Sequence, residues 1–322
     1  MAQIPGAVTE MYLVTGGAGF IGSNIVRELV ARGEEVRVLD NLTNGLESNL
    51  DAVRGSVDFV EGDICNPSDV ERAMVGVRRV LHLAALGSVP RSIADPIASN
   101  AVNVGGTLNV LVAARDADVE RVVYSSSSSV YGSDPTLPKS EEQRVWPISP
   151  YATSKLAAEN YTRVFSEVYP IETVCLRYFN VFGPLQRPDA AYAAVIPKFM
   201  EWAIAGEPLQ IHGDGLQARD FTFIENVVHA NLQASQAPGA SGQVFNVACG
   251  ESYSLLDIAD ALEQAVGRPV VRQHAAGRPG DIRNSQADIS RAADVLGYRV
   301  RVSFAEGLKR TWEIFCERFG AA

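Results

Sequence analysis

The chain has 322 residues, 47% of them apolar and 20% charged, which is enough material for a sizeable core and excludes a disordered composition. A formal net charge of −10 excludes a broad nucleic-acid-binding face, because neutralising phosphates needs a basic surface, yet a few arginines can still hold a phosphorylated small molecule. Cys65, Cys175, Cys249 and Cys316 stand far apart, as do His82, His212, His229 and His274, so neither a disulfide framework nor a metal site is expected.

The opening "MAQIPGAVTE" lacks the basic and apolar regions of a secretory leader, and no apolar run approaches membrane-spanning length, so a cytoplasmic protein that does not contact membrane is expected. Short β-branched runs then alternate with helical patterns. "MYLVT" (Met11–Thr15) reads as a strand, "IGSNIVRELVARG" as a helix, and "EVRVLD" (Glu35–Asp40) and "VDFVEGD" (57–63) as strands. The helical "NPSDVERAMVG" precedes a strand in "RVLHLAA" (79–85). "TLNVLVAARDA" is the next helix, "RVVYSS" (121–126) a strand, "YATSKLAAENYTRVFSEVY" a long helix and "ETVCLRY" (Glu172–Tyr178) a strand. Strands this continuously apolar fit a parallel sheet buried on both faces, and the alternation predicts an α/β, Rossmann-type doubly wound fold.

After Asn180 Gly and Pro become frequent, as in "FGPLQRPD" and "GRPGD". Residues 1–180 are therefore expected to form a dinucleotide-binding domain. Residues 181–322 would form a smaller substrate-binding domain over the sheet's carboxyl edge, with some later segments returning to the first.

In "LVTGGAGFIGSN", Gly16, Gly19 and Gly22 follow a strand and open a helix. Gly16 would permit the tight turn, Gly19 the approach of a pyrophosphate, and Gly22 close packing of helix on sheet. Asp40 closes the second strand, where a carboxylate would accept ribose hydroxyls. No arginine follows it directly in "DNLTNG", which favours NAD over NADP.

Five serines, Ser125 to Ser129, sit between "RVVY" and "VYG". Their composition suits a linker, whereas their position suits a strand end presenting hydroxyls. Tyr151 and Lys155, four apart, share one helix face. Lysine occurs only four times, so about 0.12 chance occurrences of this spacing are expected. An incidental pair on an exposed helix would also fit. As chemistry, a cationic Lys155 and the positive nicotinamide of NAD⁺ would both favour the Tyr151 phenolate and make it a usable base.

"TGGAGFIG", the serines after the fifth strand, "YATSK" and "RYFNVFGP" together resemble the extended short-chain dehydrogenase/reductases, and more narrowly the UDP-hexose 4-epimerases that accept N-acetylated sugars. The resemblance implies Tyr151 as acid/base, Lys155 as its electrostatic partner and Ser127 as third catalytic member, through which the sugar's O4 proton would be relayed to Tyr151. It also implies that Phe20, Ile21 and Asn41 join the glycines and Asp40 around NAD, and that Asp63 and Ile64 touch adenine. Leu83, Ala84 and Ala85 would pass under ribose and phosphates, with Asn103 and Phe179 near the nicotinamide.

For a UDP-sugar substrate the resemblance implies Ser88, Asn180, Gln186, Val195, Lys198, Gln210, His212, Arg219, Arg278, Asp281 and Ser285. Taken singly, the charged members also suit a solvated surface. Ser285 stands at the position beside the sugar's C2 group, where a tyrosine restricts relatives to glucose and galactose. Relatives that dehydrate nucleotide sugars carry an acid just before "VYG", where this chain has Ser128 and Ser129. The resemblance therefore implies 4-epimerisation of UDP-GlcNAc/UDP-GalNAc and of UDP-glucose/UDP-galactose by a homodimer. A dehydratase or reductase of the same fold, or a dinucleotide-binding protein without turnover, is the alternative.

Overall fold

The computed structural model describes residues 10–187, 194–277 and 283–319. The six expected strands form: β1 (Met11–Thr15), β2 (Glu35–Asp40), β3 (Val57–Glu61), β4 (Arg79–His82), β5 (Arg121–Ser127) and β6 (Glu172–Tyr178). A seventh strand, Val244–Val247, escapes the sequence reading and pairs parallel to β6. The sheet runs β3-β2-β1-β4-β5-β6 and then Val244–Val247, parallel throughout, with register fixed by pairs such as Leu13↔Arg37 and Leu13↔Val80. Strand order reverses between β1 and β4, the place where such sheets bind ligands at their carboxyl ends.

The helices on this half are α1 (Phe20–Ala31), α2 (Pro67–Met74), α3 (Val89–Ala94), α4 (Pro96–Asn100), α5 (Thr107–Asp116) and α6 (Pro150–Val168). Four of them start on a side-chain cap with a proline in the first turn: Asn66, Ser88, Asp95 and Ser149 each accept a backbone N–H. Asn66 thus opens α2, Ser88 α3, Asp95 α4 and Ser149 α6. α4 continues through a π-helical turn (Ala101–Gly106) into α5. The resulting stretch, Pro96–Asp116, is long and apolar enough by length and composition to cross a membrane, which corrects the reading that no run approaches that length. Its buried residues, among them Val110, Leu111 and Ala114, pack with Val70 of α2 and Val80 of β4, as those of a core helix do.

The C-terminal half returns to the sheet. Helix Ile224–Gln236 packs beside α1, and its last carbonyls are capped by arginines that open β4 and β5. Arg79 reaches Ser235 O, and Arg121 Nη1 donates to Ala234 O and Ala237 O at 3.0 and 2.9 Å. Paired strands Val181–Phe182/Thr222–Phe223 and Leu209–His212/Arg272–Ala275 stand beyond the carboxyl edge with helices Val195–Ala205, Leu255–Val266 and Phe304–Phe319. Phe182, Phe221, Phe223 and Phe304 fuse these pieces to the main core, with ring centroids 5.5–6.4 Å apart.

Candidate active site

The glycine turn fits its expected task. Gly16 has φ +70°, and a Cβ there would lie 2.8 Å from Ala84 N. At Gly22 a Cβ would come within 2.2 Å of Gly16 O, so only glycine lets α1 approach the turn this closely. Gly19 begins α1 without a side-chain cap, leaving the first-turn N–H groups and the helix dipole for an anion.

Asp40 is buried and ties this turn to the next: Oδ2 accepts Ala18 N at 2.9 Å and Oδ1 accepts Leu42 N at 2.8 Å. Burial raises its pKa against the pull of those two N–H groups, and each oxygen keeps a lone pair for a ribose hydroxyl. Asn41, Asp63, Ile64, Leu83, Ala84 and Ala85 line the same groove. Asn41 Nδ2 donates to Asp63 Oδ2 at 2.9 Å and joins the ends of β2 and β3 at one side of the groove. Two residues the sequence reading missed span the groove, with Arg91 Nη1 donating to Asn44 Oδ1 at 3.0 Å. Asn103 is buried beside this groove. Its amide bonds Leu86 N, Leu86 O and Ser154 Oγ, so it steadies the loop that lines the groove.

At the groove's other end stand Ser127, Tyr151 and Lys155. Ser149 caps α6 and the Tyr151 N–H donates to Ser92 Oγ at 3.0 Å, which fixes the helix start against α3. Tyr151 opens one side to the cleft; burial raises its phenol pKa and a hydrogen bond with the Ser127 hydroxyl opposes that rise. Lys155 is buried with Nζ 4.6 Å from the Tyr124 ring centroid, and burial pushes its pKa down to about 7 against the attraction of Glu159.

The serines are not a linker. Ser125–Ser127 complete β5 and Ser128–Tyr131 form a 3-10 turn. Ser125 Oγ pairs with Tyr178 OH at 2.9 Å, while Ser126 Oγ donates to Glu159 Oε2 at 2.6 Å. Glu159 in turn holds Arg177 through Nε (3.0 Å) and Nη2 (2.6 Å), an ion pair wholly inside the protein.

Phe20, Ile21, Phe179, Asn180, Gln186, Arg219 and Ser285 line the cleft beyond Ser127, and Ser88 lines it beside Tyr151 while capping α3. The sequence reading missed Lys139 and Asn284 here; Lys139 is a buried cation whose Nζ donates to Asp134 O. Among the described residues lining this part of the cleft there is no carboxylate. Next to it, Val195, Lys198, Gln210 and His212 gather with Trp202 and Phe221, two aromatic faces that no sequence motif flagged. Arg278 and Asp281 lie outside the described residues.

Residues 12–248 match the NAD dependent epimerase/dehydratase family. A UDP-glucose 4-epimerase of Mycolicibacterium smegmatis is 40% identical over 94% of this chain and 97% of its own. Among solved structures, a UDP-N-acetylglucosamine 4-epimerase from Methanobrevibacter ruminantium in complex with UDP-N-acetylmuramic acid superimposes with a TM-score of 0.92. It is 36% identical, over 97% of this chain and 99% of that one. A Thermus thermophilus UDP-glucose 4-epimerase in complex with NAD gives a TM-score of 0.86 at 36% identity, over 97% and 100% of the two chains. With a glycine cradle that a Cβ would fill and a buried acid at the end of β2, the chain belongs to the NAD dependent epimerase/dehydratase family.

Proposed function

We propose that the chain is a UDP-hexose 4-epimerase that interconverts UDP-GlcNAc with UDP-GalNAc and UDP-glucose with UDP-galactose. The observation that carries this reading is the composition of the sugar end of the cleft. Ser127, Tyr151 and Lys155 meet there, and no carboxylate lines it among the described residues. Dehydration needs a second acid/base beside the tyrosine, whereas epimerisation at C4 needs only one proton moved off O4 and returned.

NAD, which Gly16, Gly19, Gly22 and Asp40 would hold, would supply reversible hydride transfer at C4 of the sugar. Tyr151 takes the O4 proton as phenolate and restores it after the flat 4-keto sugar has turned. Lys155 favours that phenolate by its charge. Arg219 suits the diphosphate, and the aromatic faces of Trp202 and Phe221 suit the base. Ser285, small and set beside Asn284 and Arg219, leaves room for an acetamido group.

The test is product analysis. UDP-GlcNAc incubated with the purified protein, with and without added NAD, is expected to yield UDP-GalNAc. No epimer under either condition, or a stable keto product, overturns the reading. A homodimer also fits: Tyr161, Val164 and Val168 expose an apolar stripe on α6. Sedimentation of Val164→Glu beside the parent chain tests that pairing.

A further inference from the structure

Ser127 Oγ accepts two hydrogen bonds from one residue: the Ser129 backbone N–H at 3.2 Å and the Ser129 hydroxyl at 2.9 Å. A hydroxyl has two lone pairs and one proton, so both acceptor sites of Ser127 are filled and its single O–H is left to donate elsewhere. The turn that arranges this is firmly set. Val130 and Tyr131 are buried, and the Tyr131 hydroxyl donates to Asn246 Oδ1 at 2.7 Å. Gly132 follows with φ +65°, where a Cβ would strike Trp146 O at 1.9 Å.

We propose that Ser129 is a positioning residue that fixes Ser127 as a donor to the Tyr151 oxygen, so that the sugar proton passes to Tyr151 directly and not through Ser127. A relay would need a Ser127 lone pair for the sugar hydroxyl, and Ser129 occupies both. In the direct step the O4–H bond breaks, its electron pair stays on oxygen to form the C4=O bond as hydride leaves C4 for NAD⁺, and the proton forms the Tyr151 O–H bond. The Ser127 O–H bond remains intact. This rests on the epimerase reading above.

The groups around Tyr151 are Lys155 on its own helix with Glu159 behind it, Tyr124 from β5, Tyr178 from β6 and Arg91 from α3. Lys139, Arg187 and Arg219 face it across the cleft. Ser129→Ala changes none of them, so a change in Tyr151 titration reports on Ser127.

For the Ser129→Ala holoenzyme the acid limb of the kcat profile is expected to move to higher pH. The rate at neutral pH falls about three- to tenfold, recovers in alkali, and KM stays within about twofold. Ser129→Thr, which keeps both donors, is expected to match the parent. Tyrosinate absorbance of the holoenzyme, with a Tyr151→Phe variant subtracted, is expected to show the same shift without substrate, and so stays readable if no UDP-hexose is epimerised. A loss equal at every pH with Tyr151 titration unmoved, an unaltered Ser129→Ala, or a shifted limb in Ser129→Thr overturns the proposal.

Discussion

Replacing Glu159 by Gln tests whether the buried ion pair beneath the serine run supports the site. The substitution keeps volume and removes charge, leaving Arg177, 4% exposed, without its hydrogen-bonded carboxylate. Its Nη1 already has no hydrogen-bond partner, and what remains around the guanidinium is the Tyr131 ring at 4.8 Å and the more weakly interacting Glu141. Breaking one side of such a pair costs about 3–5 kcal/mol. With an unfolding entropy of about 2.1 cal/mol/K per residue, a chain of this length has roughly 0.7 kcal/mol/K, which converts that cost to a drop of roughly 4–7 °C in Tm. Glu159→Gln/Arg177→Met, which removes both charges, is expected to recover most of the loss. The assay is thermal unfolding of the four proteins of the cycle at one fixed NAD concentration. A double variant no more stable than Glu159→Gln would refute the reasoning. Activity gives a second check, because burial lowers the Lys155 pKa to about 7 and Glu159 holds it up. Without that carboxylate Lys155 loses its proton at lower pH, so the alkaline limb of the rate profile moves down in pH.

Gly22→Ala is expected to lose NAD by at least roughly tenfold, since a methyl 2.2 Å from Gly16 O must push α1 off the turn, whereas Gly105→Ala meets nothing within 4 Å and should bind normally. Cofactor content after purification separates the two, and equal retention refutes the packing argument. Ser285→Tyr should abolish turnover of UDP-GlcNAc and keep that of UDP-glucose; kcat/KM falling equally for both contradicts the assigned role. His82 is buried between Thr15 Oγ1 (2.7 Å) and Thr107 Oγ1 (2.9 Å), and burial, then Lys155, pushes its pKa down to about 3. Its unfolded form binds a proton below about pH 6.5 while its folded form does not, so stability falls as pH drops from 6.5 toward 3, by about 2 kcal/mol at pH 5. His82→Gln should flatten that slope in urea titrations. Asp220, raised to about 6 by burial, adds an opposite slope between 3.8 and 6 but is common to both proteins. Parallel acid slopes would remove His82 as the cause.

The main sheet was legible because strands buried on both faces must be apolar nearly throughout: Tyr12, Leu13 and Val14 are all fully buried. Val244–Val247 was not, because four residues carry no period and this strand is placed by its partner β6, not by its own pattern. Helices α3 and α4 escaped for the same reason. They have six and five residues, and their starts are set by Ser88 and Asp95 with the prolines that follow. In the groove, the glycines and Asp40 announce themselves by a spacing that one turn dictates. The Arg91–Asn44 contact joins helix α3 to the loop after β2, 47 residues apart in sequence, across the switch point between β1 and β4, and no local signal encodes it.

The serine run shows why low complexity in sequence need not mean equivalence in space. Along β5 successive side chains point to opposite faces, so Ser125 reaches Tyr178, itself bonded to Asn231 of helix Ile224–Gln236, while Ser126 reaches Glu159 on α6. Where the strand ends, the backbone turns and the alternation stops, which brings Ser129 back onto Ser127. One residue type thus acquires distinct partners from three causes: the pleat, the helices on either face, and the turn. The first can be read from spacing alone. The second depends on Glu159 and Tyr178, whose nearness is decided by how α6 and β6 pack, and the third on the turn that brings Ser129 back, so Ser127 could be singled out by resemblance while Ser129, which holds it, could not. Asn103 is the converse case: its resemblance-implied role pointed outward to a cofactor, whereas the partners that packing gives its amide are Leu86 of the groove loop and Ser154 of α6.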